Sequence, residues 1–238
     1  MKRNNFFLLL ALVIYGILNA SHPGYEKLVN YRQAVQEFAL THDQAAFDEY
    51  KSLINRYYVS GAYEDHLRSI CIKAKQYFEA FPLKENSLVV FDVDDTALYH
   101  FHIHDDFKFI WKDMPWLAQN RPLGKAPGIK PVLELYNYLI KKGFKVVFLT
   151  CRPDDVYDQT IIELHNAKFN VYEELICMPL DLAQNPSSKY GLWKYTQRER
   201  LAKKYNIVGN IGDRERDFEI GHNGYSVKLP NYLQKVYR

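Results

Sequence analysis

Asp92 and Asp94 stand two residues apart directly after the apolar run 88–91. On an extended chain, residues two apart project to the same side. A pair of neighbouring carboxylates can gather a divalent cation, attack a substrate, or divide nucleophilic and acid–base duties between them. Groups of complementary chemistry recur downstream. Thr150 follows the run 145–149, Lys194 lies near the start of a helical stretch, and Asp213 and Asp217 follow the run 207–211 in Gly212-Asp213-Arg214-Glu215-Arg216-Asp217. A hydroxyl and an ammonium suit anionic oxygens, and acids suit a cation. Each feature alone has an ordinary explanation, since acids after strands are common caps and turn formers. Together they form a site only if the fold delivers them to one place.

The pattern after residue 87 supplies such a fold. Runs 88–91, 145–149, 175–178, 207–211 and 225–229 are rich in Val, Ile, Leu and Phe and read as strands buried on both faces. Helices fit between them: one over 129–142, after Pro127-Gly128 and before Gly143; one after Pro153-Asp154-Asp155; one over 192–205. Such alternation predicts right-handed crossovers and a mainly parallel α/β sheet flanked by helices. The candidate residues then fall at the carboxyl ends of strands or on the helix between them, where open α/β sheets bind ligands.

Upstream, residues 26–80 carry three amphipathic patterns: Leu28, Tyr31, Val35 and Phe38; then Phe47, Tyr50, Ile54 and Tyr57; then Leu67, Ile70, Cys71, Ala74 and Phe78. Ser60-Gly61 separates the second from the third, and Pro82 ends the series. This is a helical N-terminal arm, residues 21–86, ahead of a core at 87–238. Residues 99–125 are too long for an ordinary βα loop and read as a small cap insertion. The start, Met1-Lys2-Arg3-Asn4-Asn5, leads into an apolar run to Leu18 and then Asn19-Ala20-Ser21, the pattern of a secretory signal over residues 1–20. The run is short of the ~20 residues that span a bilayer, so no stable membrane anchor is expected.

The 238 residues are 47% hydrophobic and 25% charged, the balance of an ordinary folded protein. The formal net charge of +3 falls towards zero once Lys2 and Arg3 leave with the signal. That argues against a nucleic-acid polymer as partner, since backbone binding needs a basic stripe. Cys71, Cys151 and Cys177 each lie within or beside an apolar run and read as core residues, with one bridge left open in an oxidising compartment. No Walker A loop, G-x-G-x-x-G fingerprint or Arg-His-Gly triplet occurs, and no cysteine has an arginine six positions on.

The pieces Val90-Phe91-Asp92-Val93-Asp94-Asp95-Thr96, Phe148-Leu149-Thr150-Cys151-Arg152-Pro153, Trp193-Lys194 with Arg198 and Leu201, and Ile207-Val208-Gly209-Asn210-Ile211-Gly212-Asp213 are in the order of the four motifs of haloacid dehalogenase-like (HAD) phosphohydrolases. From about residue 60 onward the chain resembles the acid phosphatase branch of that superfamily, with class B acid phosphatases and plant vegetative storage proteins. The resemblance implies a HAD-like Rossmannoid sheet and hydrolysis of small-molecule phosphomonoesters at acidic pH. Asp92 would be the nucleophile and Asp94 the acid and then base. Thr150 and Lys194 would bind phosphate. Mg2+ would be held by Asp92, the backbone carbonyl of Asp94, Asp213 and Asp217, the last through water or as an orienting group; Asp217 also reads as a solvated helix acid. Asp95 has no expected role.

Around that site, Arg152 reads either as a phosphate contact or as a partner of Asp154 or Asp155. His100, His102 and His104 share one face of an extended chain and look like a metal site, but their place in the insertion favours gating, substrate contact or exposure. Trp111 and Trp116 either stack on a substrate or pack the cap, and packing is favoured. Two rival functions stand beside phosphomonoester hydrolysis: a phosphotransferase or 5'-nucleotidase using the same site, and a catalytically silent storage or binding protein of the same fold.

Overall fold

The computed structural model describes residues 41–101, 126–184 and 190–232. The expected signal at 1–20, the first amphipathic pattern from Leu28 to Phe38, and His102, His104, Trp111 and Trp116 of the insertion lie outside these residues. The described chain forms two compact units, one running to His66 and taking in Tyr232, the other running from Leu67 to Asn231.

In the first unit, helix α1 (Gln44–Val59) starts at Asp43, whose carboxylate accepts the Ala46 N–H at 2.9 Å and so satisfies one of the open donors of the first turn. Its apolar stripe, Tyr50, Ile54 and Tyr57, is buried as its spacing predicts. Tyr57 is ringed edge-on by Tyr58, Tyr63 and Tyr232, and its hydroxyl lies 2.9 Å from His66 Nδ1. Helix α2 (Ala62–Ala80) follows Gly61, which takes φ +92, and ends two residues before Pro82.

The second unit is built on a five-stranded parallel sheet in the order β3-β2-β1-β4-β5, with β1 (Ser87–Phe91), β2 (Lys145–Pro153), β3 (Glu174–Met178), β4 (Asn206–Gly212) and β5 (Tyr225–Lys228). Every residue of β1 is buried, as a central strand covered on both faces requires. Helices α3 (Lys130–Lys142), α4 (Tyr157–Asn166), the short α5 (Leu180–Ala183) and α6 (Tyr190–Ala202) connect the strands. Gly143, in the left-handed region at φ 95, caps α3 by donating its N–H to the Leu139 and Ile140 carbonyls. Leu201 of α6 packs with Leu88, Val90, Val147, Leu149 and Ile176.

The chain crosses outward from β1 to β2 and β3, then returns to the far side of β1 for β4 and β5. The order therefore reverses between β1 and β4, and an open α/β sheet leaves a crevice at the carboxyl ends of such strands. Phe91 of β1 is in register with Ile211 of β4, so the segments that follow them emerge side by side. The strand starting at Lys145 runs on to Pro153 rather than stopping at residue 149, with a register shift against β3 between Leu149 and Pro153. Thr150 and Arg152 thus lie on the irregular end of β2, held by a strand rather than by a loop.

Candidate active site

The Asp92 N–H donates to the Ile211 carbonyl at 2.9 Å, extending the β1–β4 ladder by one step and fixing the first carboxylate beside the end of β4. The chain then folds into a tight turn in which the Ala97 and Leu98 amides both donate to the Val93 carbonyl. Asp95 takes φ 55 in that turn, a conformation aspartate tolerates better than most residues. Its carboxylate accepts from the His100 N–H and from Asn231 Nδ2, each at 3.2 Å, and so holds the turn.

Asp92, Asp213 and Asp217 are buried, and one carboxylate oxygen from each lies within 4.8 Å of the others. Lys194 Nζ donates to Asp92 Oδ1 at 2.7 Å and to Asp217 Oδ1 at 2.5 Å. Helix α6 delivers this lysine: Lys194, Arg198 and Leu201 share its buried face at i, i+4 and i+7. Arg198 donates to the backbone carbonyls of Asp217, Glu219 and Ile220 at 2.9, 2.7 and 2.9 Å, pinning the segment that carries Asp217. Asn210 Nδ2 adds a 2.5 Å bond to the Asp217 carbonyl. Gly212 is needed here, because a Cβ on it would sit 2.7 Å from Asp217 Cβ.

Burial raises Asp92 well above the usual carboxylate range despite Lys194, and burial likewise raises Asp213 despite Arg214. Burial acts in the same sense on Asp217, but Lys194 and then Arg216 outweigh it and hold this carboxyl below its usual range. Lys194 stays protonated against the cost of burial because Asp217 and Asp92 face it. Clustered oxygen donors, two of them short of compensating charge, fit a hard divalent cation. Asp213 accepts from Asn231 Nδ2 at 2.5 Å and from Thr96 Oγ1 at 3.4 Å, contacts that orient it. Asp217 is engaged on both oxygens, by Lys194 and by the Arg214 N–H at 2.8 Å, which suits orientation of the cluster better than direct ligation. It is not a solvated acid.

Asp94 is outside this trio. Its carboxylate turns to Arg152, accepting from Nη2 at 2.8 Å and from Nε at 3.1 Å. Arg152 also donates through Nη1 to Glu163 at 2.5 Å and to Thr160 at 3.2 Å, both on α4. Arg152 thus pairs with Asp94 and Glu163, not with Asp154 or Asp155. His100 Nε2 lies 3.4 Å from the same Asp94 oxygen, buried against the site. Thr150 Oγ1 accepts the Arg152 N–H at 3.1 Å, which leaves its own proton to donate. The structure therefore brings together Asp92, Lys194, Asp213 and Asp217, and places Asp94 against Arg152, whose N–H Thr150 accepts, at the end of the neighbouring strand. Motif reading missed Glu163, Asn231 and the arginine Arg216 at this site. A buried glutamate on a helix and a distant asparagine carry no local sequence signal.

The model of HAD superfamily subfamily IIIB (acid phosphatase) matches residues 23–235. The chain belongs to this family. It is a phosphomonoesterase of the HAD acid phosphatase type. The Stem 28 kDa glycoprotein of Glycine max is 30% identical over 222 residues, covering 88% of this chain and 84% of that protein. Acid phosphatase 1 of Solanum lycopersicum is 27% identical over 220 residues, again covering 88% of this chain and 84% of that one. Vegetative storage protein 2 of Arabidopsis thaliana is 30% identical over 186 residues, covering 74% of this chain and 68% of that one. Among solved structures, the class C acid phosphatase from Bacillus anthracis with tungstate bound superposes with a TM-score of 0.61 at 17% identity, over 75% of this chain and 82% of that one, a likeness of fold.

Proposed function

We propose that this chain is a secreted, Mg2+-dependent acid phosphatase that hydrolyses small-molecule phosphomonoesters through an aspartyl-phosphate on Asp92. The observation that carries the reading is the unequal treatment of two carboxylates two residues apart. Asp92, its side chain 10% exposed, is aimed by Lys194 beside Asp213, whereas the Asp94 side chain, 29% exposed, meets Arg152 and keeps access to solvent.

In the first step Asp92 attacks phosphorus, and the ester oxygen leaves with a proton from Asp94. In the second, water attacks the phosphorus of the aspartyl-phosphate, Asp94 takes the proton, and inorganic phosphate departs with Asp92 restored. Thr150 donates its hydroxyl proton to a phosphoryl oxygen. Asp92, the Asp94 backbone carbonyl and Asp213 would hold Mg2+, with Asp217 orienting the set. When bound, the ion neutralises charge on the phosphoryl oxygens. Residues 1–20 serve as the export signal, a reading supported by their composition and by relatives named as glycoproteins.

Asp92→Asn is expected to lower kcat by at least about 10³-fold with an unchanged circular dichroism spectrum. Near-normal turnover would end the nucleophile assignment. Relatives named as vegetative storage proteins favour one second reading, a silent member of the same fold. A panel of phosphomonoesters assayed with and without Mg2+ across pH separates the two: turnover supports the enzyme, and none under any condition supports storage.

A further inference from the structure

Arg216 lies in the short 3-10 turn Glu215–Asp217, between Asp213 and Asp217 of the carboxylate cluster, and differs from the other cations there. Lys194 is held by Asp92 and Asp217, and Arg152 by Asp94 and Glu163. Arg214 Nε lies 3.5 Å from Asp213. Arg216 Nε is buried with no hydrogen-bond partner among the described residues, while the residue as a whole keeps part of its surface in solvent. Its guanidinium carbon lies 5.1 Å from the centroid of the Tyr190 ring at the start of α6. A ring supports the face of a guanidinium and leaves its N–H edge available to donate.

Tyr190 stands one helical turn before Lys194, which donates to Asp92 and Asp217, so the guanidinium over its ring lies at the same end of α6 as the carboxylate cluster. The cost of burial is outweighed by Asp217, Asp92 and Asp213, whose carboxylates keep Arg216 protonated. Arg216 also acts on Cys151, the residue after Thr150. The guanidinium is therefore within electrostatic reach both of Asp92 and of the strand end that carries Thr150. Leaving a buried guanidinium N–H without an acceptor is costly. An anion bound between Asp92 and Thr150 would remove that cost.

We propose that Arg216 is a phosphate-binding residue, donating from its guanidinium edge to a non-bridging oxygen of the substrate's phosphoryl group and of the inorganic phosphate product. Tyr190 positions it from the opposite face. The inference rests on the reading that Asp92 receives the phosphoryl group. Its test reads binding rather than turnover, so the two can fail separately.

Inorganic phosphate is titrated calorimetrically into the full-length protein in Mg2+ buffer. Arg216→Gln is expected to weaken phosphate binding by about tenfold or more, the loss of one charge-assisted contact. KM for p-nitrophenyl phosphate should rise with it, and Arg216→Lys should recover part of both. Phosphate affinity within about twofold of wild type in a folded Arg216→Gln protein would overturn the proposal. Where that variant does not fold, wild-type protein is treated with phenylglyoxal and mapped by peptide mass. Protection of Arg216 by inorganic phosphate supports the proposal, and equal labelling with and without phosphate overturns it. Asp92→Asn serves as the control: turnover retained in that variant would remove the nucleophile reading while leaving the phosphate titration of Arg216 interpretable.

Discussion

Asp92 and Asp213 are carboxyls that burial holds above their ordinary range, and this has a definite sign for stability. An acid whose folded pKa exceeds its unfolded value favours folding while protonated. That contribution is present below the unfolded pKa, for which 3.8 is the ordinary value, and is lost as pH rises through the raised one. Asp217 acts in the opposite sense, since its lowered pKa stabilises the fold at pH values above the ordinary one. A divalent cation competes with the protons of Asp92 and Asp213, so its stabilising effect grows with pH. Thermal melts are expected to show a larger Mg2+-dependent rise in Tm at about pH 7 than at about pH 5. Equal shifts at both, or no shift, would remove the cation from these two residues.

At the scale of elements, the junction of β2 and α4 decides what Asp94 can do. The end of β2 aims Arg152 along Asp94, and α4 supplies Glu163, which is fully buried, as the opposing charge. A buried guanidinium between two carboxylates is costly to break from one side, by about 3–5 kcal/mol in comparable pairs. Glu163→Gln should therefore loosen Arg152 and with it Asp94. A leaving alkoxide needs a proton and nitrophenolate hardly does, so the variant should cut kcat for an alkyl phosphomonoester by about tenfold or more and for p-nitrophenyl phosphate by less than about threefold. An equal loss on both substrates would make Glu163 a packing residue only. The strand end itself was partly legible: Thr150 and Arg152 stand in one short sequence motif, but their place on an irregular continuation of β2 depends on its pairing with β3.

At the scale of the whole chain, Cys71, Cys151 and Cys177 are all free, the first two buried. Burial pushes the Cys71 and Cys177 thiols up to about 12 and raises Cys151 as well. Native protein should therefore resist iodoacetamide at about pH 8, where little thiolate forms, while the denatured chain releases all its thiols to Ellman's reagent. The Tm should be indifferent to reductant, and a fall on reduction would reveal a bridge. No helix among the described residues is long and apolar enough to cross a membrane.

Local pattern was enough for the order of elements in the core, because strands buried on both faces and helices bounded by Pro and Gly write their period directly into the chain. It was also enough for the positions of Asp92, Asp94, Thr150, Lys194 and Asp213, since each falls at a strand end or on the helix feeding the next strand. Tertiary structure alone decided their partners. That Lys194 joins Asp92 to Asp217, that Arg152 passes over Asp154 and Asp155 for Asp94 and Glu163, and that Arg216 carries a buried N–H without an acceptor among the described residues all depend on contacts between residues far apart in sequence or on different elements. Period and propensity act over a few residues, whereas charge pairing in a buried crevice depends on which strands lie side by side.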